Sequence, residues 1–415
     1  MKQAYHRRGT RINNINAARA AYEQNIHPRL LVDAVGLKRL RQQVRKGAGR
    51  LILEAVKRKV RGPAEDVLRC ADLPDKIRTA KVFWPKPGDE YLWGLHEMAL
   101  AGLLDDDADL LEAVRRIFVA LPSLECRLTA DVNGYEGYYI PPLFLPLAYD
   151  LVATTMSAAD RRRFVEWALP RYILNPLNQH REHHFKAAAH NMTLGGMEIA
   201  LVTALAVRGE PGAPDLSREI DELISFFRAT LHTAIGPDGY PEEDIGYGTV
   251  VVPALAQVVE MLRRAGLYDA YAECPRFRRF GQAMLHFLQP WGEHLSNTGD
   301  HGDQLRDREY VLARLATETR DPSLLWLLGR LTYMHGRTFI TDLMPEFDVE
   351  VILRKNYHAP ATALSLLVMD DLKRGKDPEK RKVPTAFRDR GRGIVTFRSG
   401  WNADDTCVVF DGSLR

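Results

Sequence analysis

The sequence predicts a mainly α-helical protein: an (α/α) toroid or incomplete barrel of helical hairpins, followed by the first strands of an antiparallel β-sheet domain. Apolar residues recur with a helical period from about residue 35 to residue 370. Short turns rich in Gly, Pro or Asp separate the periodic segments, as in an array of antiparallel helix pairs. After about residue 372 the pattern changes to short β-type runs. Many helix pairs of this kind can close into a ring with a cleft at one end.

The composition indicates an ordinary globular chain. Of its 415 residues, 46% are hydrophobic and 27% are charged, and the formal net charge is only +3. The global field therefore gives little steering toward polyanions. The basic run over residues 37–62 has helical spacing, which favours a solvated helix face over a nucleic-acid contact. The cysteines are far apart, so neither a thiolate metal site nor a disulfide framework is predicted.

The chain shows no membrane or export signal. No apolar run approaches the length that a transmembrane helix needs. The N-terminus is basic but lacks the apolar core of a secretory signal. These features predict either a cytoplasmic protein or a periplasmic or secreted one whose leader is not part of this sequence, and they leave the oligomeric state open.

Three regions follow from the patterning. Residues 1–372 are predicted to form the helical toroid. Residues 373–392 are rich in Lys and Arg and carry two prolines, which is typical of a linker. Residues 393–415 contain two β-type runs, IVTFRS and TCVVFDG, joined by a WNADD turn. Because a hairpin alone buries too little surface to be stable, we expect this to be the start of a larger β-sheet domain and the chain to be part of a longer protein.

Two segments place polar residues at the start of an apolar helix. DGYPEEDIGYG, residues 238–248, brings Glu243 and Tyr247 to one helix start, and residues 187–205 bring His190 and Asn191 to another. Each has a structural alternative. Asn191 is a favoured N-cap residue, His190 can be a satisfied structural histidine, and Tyr247 can be an aromatic packing residue. Glu243 can belong to an acidic first helical turn that the helix dipole favours.

Other polar clusters predict contacts with a substrate. Tyr135, Tyr138 and Tyr139 follow a Gly turn and suit stacking on a sugar, although loop packing explains them almost as well. His184 lies in a histidine-rich segment whose spacing fits no common zinc motif, which favours a polar loop lining the cleft. His301 lies between two aspartates in NTGDHGD and is expected to face substrate.

The aspartate cluster over residues 105–109 matches the DDxxD magnesium motif of prenyl-processing enzymes. Here it lies between two amphipathic helices. A helix-to-helix turn with an Asp N-cap is therefore the favoured interpretation, and no metal site is predicted.

The order of these motifs resembles that of the heparinase II/III-like polysaccharide lyases. The matching segments are HPRLL at residues 27–31, PLAYDLV at 146–152, HNMTLGG at 190–196, DGYPEEDIGYG at 238–248, SNTGDHGD at 296–303 and the hairpin from residue 393. The resemblance implies an (α/α) toroid followed by a β-sheet domain, with a catalytic Asn or His and a catalytic Tyr at the two helix starts. It also implies a further catalytic His and a structural divalent metal in the β-domain beyond this hairpin, with no cofactor in the present segment.

The predicted reaction is β-elimination on a uronic-acid glycan, so the expected partner is an acidic polysaccharide or oligosaccharide. The C5 proton is poorly acidic until the neighbouring carboxylate is hydrogen-bonded, and the Asn191 amide can donate without a counterion. Tyr247 is assigned as base, acid or both, helped by the dipole at a helix N-terminus, with His190 and Glu243 as further helpers.

Two other functions remain open at this stage. One is an (α/α)-barrel glycoside hydrolase, for which Glu243 and Asp300 are the candidate carboxylate pair. The other is a non-catalytic glycan-binding or assembly protein.

Overall fold

The computed structural model describes residues 14–79, 91–92, 94–123, 144–183, 191–292, 294–296, 298, 308–331, 362–371 and 375–412. Helices dominate these ranges, and a small antiparallel sheet follows them, which confirms the predicted fold class. The described α-helices are, in chain order, α1 (Ile15–Glu23), α2 (Ala34–Gln43), α3 (Gly47–Arg69), α4 (Leu73–Thr79), α5 (Leu95–Asp105), α6 (Ala108–Ala120), α7 (Phe144–Val152), α8 (Ala158–Ala168), α9 (Asn175–His183), α10 (Asn191–Val207), α11 (Ser217–Thr233), α12 (Asp244–Ala265), α13 (Ala270–Glu273), α14 (Pro275–Phe287), α15 (Arg308–Thr319), α16 (Ser323–Arg330) and α17 (Thr362–Leu367).

The helices form a closed inner ring. α5, α7, α10, α12, α15 and α17 each pack against the next, and α17 packs against α5. The helices that lie between them in the sequence, such as α6, α8, α11, α14 and α16, lead the chain back to the start of the next inner helix. The described residues therefore show the predicted toroid of helical hairpins.

Side-chain patterning explains which helices lie inside. Every residue of α10 from Leu194 to Val207 is buried, because this helix is apolar all round. α14 instead buries a stripe that includes Phe277, Phe280 and Met284 and exposes Arg278.

By length and composition alone α12 could also cross a bilayer, yet 88% of its apolar window is buried within the fold. The expectation of no membrane span stays a prediction.

The aspartate cluster forms the predicted helix-to-helix turn. Asp107 caps α6, because its carboxylate accepts a hydrogen bond from the Leu110 amide at 3.3 Å. Its neighbours pair with the basic face of α2 and α3: Asp105 with Lys57, and Asp106 with Arg41 at 2.9 Å. The basic run is thus a helix face with acidic partners, as the spacing indicates.

The sheet has strands β1 (Ala386–Asp389), β2 (Ile394–Arg398) and β3 (Cys407–Asp411), antiparallel and in that order. β2 and β3 are the two predicted strands. β1 corrects the linker prediction, because residues 386–389 pair with β2 from Ala386 opposite Phe397 to Asp389 opposite Ile394. The many charged residues around β1 favour a linker over a strand at this position in the sequence. The division into three regions otherwise stays a prediction.

The sheet packs directly on the helices. Ile394, Thr396 and Arg398 form the buried face of β2. His286 of α14 stacks on Phe387 at 5.3 Å between ring centroids and meets Trp401 edge-on at 5.4 Å. The hairpin is therefore in direct contact with the helical part of the chain, and the expectation that it begins a larger β-sheet domain stays a prediction.

A buried histidine ties the N-terminal segment to the ring. The Nδ1 atom of His27 lies 2.7 Å from the Asp150 carboxylate of α7, and Nε2 lies 3.1 Å from the Glu210 carboxylate after α10. Glu210 also accepts hydrogen bonds from the Tyr149 hydroxyl at 2.8 Å and from Arg161. Burial lowers the pKa of His27, but hydrogen bonds to the two carboxylates outweigh it, and the net shift of the pKa is upward.

The raised pKa of His27 predicts a pH-dependent stability. Since the folded protein holds this proton more tightly than the unfolded chain, the stabilisation is complete below the unfolded pKa of about 6.5 and is lost as the pH rises through the folded pKa. We expect the free energy of unfolding, measured in urea, to fall as the pH rises above about 6.5, and His27→Gln to flatten that fall. Equal slopes for the two proteins would contradict the assignment.

Candidate active site

The candidate site lies where α10 and α12 begin. The two helices pack against each other, and α11 returns the chain between them, so both start at the same end of the ring. Asn191 is the first described residue of α10, and Tyr247 lies in the first turn of α12. The backbone therefore brings the two predicted catalytic positions to one end of adjacent inner helices. The side chain of Asn191 lies outside the described part of the structure.

The segment before α12 forms a tight turn. The Gly236 amide donates to the Tyr240 carbonyl at 2.7 Å, and the Glu242 amide donates to the Ala234 carbonyl at 2.9 Å. The chain thus reverses over residues 236–241 and delivers Glu243 to the helix start, as the sequence predicts. Glu243 is the N-cap residue of α12 but makes no side-chain cap hydrogen bond.

Gly248 allows this turn to lie against the helix that follows it. A Cβ atom at Gly248 would lie 2.2 Å from the Cβ of Pro241, closer than any real carbon contact. Because the proline ring is rigid, the neighbour cannot yield easily. Glycine is therefore required by close approach at this position.

We expect Gly248→Ala to destabilise the protein by about 1–3 kcal/mol, the usual cost of overpacking a tight site. Urea denaturation measures this change. Gly62→Ala is the matched control, since a Cβ at Gly62 in α3 meets nothing within 4 Å. The control should gain about 0.5–1 kcal/mol from the better helix propensity of alanine. A neutral or stabilising Gly248→Ala would show that the turn does not press on α12.

Tyr240 contacts both the start of α12 and Thr298, which belongs to a second loop. Its hydroxyl is buried, donates to the Asp244 carboxylate at 3.3 Å and contacts the Thr298 hydroxyl. Thr298 also accepts a hydrogen bond from the Ile245 amide at 3.3 Å. Burial raises the pKa of Tyr240, so this phenol stays protonated and structural. The contact brings the beginning of the NTGDHGD segment to the helix start.

The loop between β1 and β2 closes over the same turn. The Asp389 carboxylate accepts hydrogen bonds from the amides of Asp238 at 3.2 Å and Tyr240 at 3.3 Å. Arg392 donates to the Glu242 carbonyl at 2.7 Å and to the Asp244 carboxylate at 3.1 Å. Sequence reasoning missed both residues, because it placed them in a linker. The alternation of AFRD ahead of a Gly-containing turn is the signal that could have found this hairpin.

The structure places only part of the predicted site. Glu243 and Tyr247 are half-buried at the same helix start. Outside the described residues lie His190, His184, Tyr135, Tyr138, Tyr139, His301 and Asp300. Their approach to the site stays a prediction. Within the described ranges, no three His, Cys, Asp or Glu side chains are grouped so that they could hold a metal ion.

Comparison with known proteins finds similarity among solved structures alone. No protein-family model matches the sequence, and no curated protein matches it. A heparinase III structure aligns with a TM-score of 0.46 and 13% identity, covering 96% of this chain and 59% of that one. The heparan sulfate lyase HepC from Pedobacter heparinus aligns with a TM-score of 0.37 and 17% identity, covering 80% and 46%. A mutant of that lyase gives 0.39 and 15%, with the same coverage. The chain thus spans about half the length of the structures it matches.

Proposed function

We propose that this chain carries part of the cleft of a polysaccharide lyase that cleaves a uronic-acid-containing glycan by β-elimination. The observation that supports the proposal is the convergence of distant polar segments on one helix start. The turn at residues 236–244, Thr298 and the hairpin loop at 389–392 all meet there. The adjacent start of α10 adds Asn191. These are the segments whose order resembles the heparinase II/III-like lyases.

The proposed chemistry needs two kinds of group. The Asn191 amide would hydrogen-bond the uronate carboxylate and stabilise the charge that develops on it, with His190 and Glu243 as helpers. Tyr247 would take the C5 proton, supply a proton to the leaving oxygen, or do both. As the C5–H and C4–O bonds break, a C4–C5 double bond forms, and the departing sugar keeps the bridging oxygen as a hydroxyl.

The half-buried position of Tyr247 suits this role. A residue that reacts with a polymer must be reachable from outside, and fully buried Tyr240 on the same motif is not. Tyr135, Tyr138, Tyr139, His184 and His301 complete the proposal as groups that contact an acidic glycan. A glycoside hydrolase would instead need a separated pair of carboxylates, and Asp300 lies outside the described residues.

A product assay tests the proposal. The full chain is incubated with a panel of uronate glycans, and ultraviolet absorbance of the unsaturated uronate and binding to each glycan are both measured. A lyase gives the unsaturated product. Release of reducing ends without that absorbance would replace the proposal with hydrolysis, and absence of both product and binding would contradict it.

A further inference from the structure

We propose that Arg392 is a positioning residue, through which the β1–β2 hairpin sets the geometry of the first turn of α12. The assigned effect on catalysis rests on the proposed function of Tyr247, whereas the effect on the helix start does not. The hairpin and the turn are about 150 residues apart in the sequence, yet they share several hydrogen bonds.

The guanidinium of Arg392 spans the point where the turn becomes a helix. One nitrogen, Nη1, donates to the Glu242 carbonyl at 2.7 Å and to the Glu242 carboxylate at 3.3 Å. The other, Nη2, donates to the Asp244 carboxylate at 3.1 Å. The Arg392 side chain is only 22% exposed. A planar fork of this kind fixes both partners at once, which a single ammonium cannot do.

Asp244, one of the two partners, has an unusual backbone conformation that its surroundings must stabilise. Asp244 has a φ of +59°, in the left-handed region that non-glycine residues seldom adopt. One oxygen of its carboxylate, Oδ1, accepts hydrogen bonds from both Arg392 at 3.1 Å and the Tyr240 hydroxyl at 3.3 Å. Since a left-handed residue persists only where its surroundings determine it, the removal of Arg392 removes one of those constraints.

Arg392 is itself held in place. Its amide donates to the Asp389 carboxylate at 3.0 Å, and Asp389 is fully buried. The same carboxylate accepts hydrogen bonds from the Asp238 and Tyr240 amides on the turn. The hairpin and the turn therefore form one rigid frame, and Tyr247 lies one helical turn beyond it.

The test compares Arg392→Met with Arg388→Met. Both changes remove one guanidinium from the hairpin, but the Arg388 side chain is exposed on the outer face of β1 and makes no hydrogen bond or ion pair with any described residue. Hydrogen exchange of amides 245–248 is expected to rise at least about tenfold in Arg392→Met, because local opening becomes easier. Lyase kcat is expected to fall by about 10- to 100-fold with KM changed less than about twofold, since only the position of the phenol is disturbed. Arg388→Met should match the parent in both.

Each outcome decides a separate point. Parent-like exchange in Arg392→Met overturns the proposal, whatever the activity. Raised exchange with parent-like kcat in an active chain overturns the positioning role. If the parent makes no unsaturated product and binds no glycan, the proposed function fails, while the exchange measurement still tests the contact. If Arg392→Met does not fold, Arg392→Lys carries the test, because lysine keeps the charge and loses the fork. Parent-like exchange in that variant also overturns the proposal.

Discussion

Tyr247→Phe is expected to lower the turnover of the proposed lyase reaction by about 10²- to 10⁴-fold, the usual contribution of a positioned proton-transfer group. The substitution keeps the aromatic ring and removes only the oxygen that would exchange protons with the sugar. Tyr247 is half-buried in the first turn of α12, so the ring can still pack as it does now. The measurement is kcat from the absorbance of the unsaturated uronate, with circular dichroism to confirm the fold.

Tyr172→Phe provides a matched control for this change. The Tyr172 hydroxyl is buried and has no hydrogen-bond partner among the described residues. Its loss should therefore be neutral or slightly stabilising and should leave kcat unchanged. If Tyr247→Phe is as active as Tyr172→Phe, Tyr247 is a packing residue, which is the structural alternative that its sequence context also allows.

The helical part of the fold could be predicted because its signals are local. The apolar run of α10 and the stripe of α14 both follow from side-chain spacing, and each helix lies where the period predicts it. The Asp107 cap is equally local, since donor and acceptor are three residues apart. β2 and β3 alternate clearly enough to be found without tertiary information.

The contacts that shape the site could not be predicted, because their partners are far apart in sequence. In the sequence Asp389 is one more charge in a basic segment, and only the fold brings its carboxylate to the Tyr240 amide, 149 residues away. Tyr240 and Tyr247 also have similar sequence contexts, since each follows a glycine in the same motif. Its burial and its contacts with Asp244 and Thr298 show that Tyr240 is a structural tyrosine. Tertiary hydrogen bonds therefore show which polar residues hold the turn in place, and this information is absent from the local sequence.

The second large effect concerns stability. Asp150→Ala is expected to cost about 3–5 kcal/mol, the range for removal of one partner from a buried charged pair. The Asp150 carboxylate lies 2.7 Å from His27 Nδ1 and accepts hydrogen bonds from the amides of Arg29 at 3.0 Å and Leu30 at 2.9 Å. Alanine would leave all three groups buried without this acceptor. The change in the free energy of unfolding is measured by urea denaturation at constant pH.

Asp221→Ala is the control for the loss of a carboxylate. Asp221 is exposed on α11, and its replacement should change stability by no more than about 0.5 kcal/mol.

Hydrogen exchange should also show which part of the fold Asp150→Ala destabilises. Residues 27–33 reach from α7 to the far end of α12, where Arg264 donates to the Leu30 carbonyl at 2.7 Å and to the Asp33 carboxylate at 2.8 Å. Asp150→Ala should therefore loosen the C-terminal turn of α12 and spare amides 245–248, because the hairpin still holds that end. Equal loosening at both ends would mean that α12 opens as one unit, and equal stability of the two variants would contradict the role of Asp150.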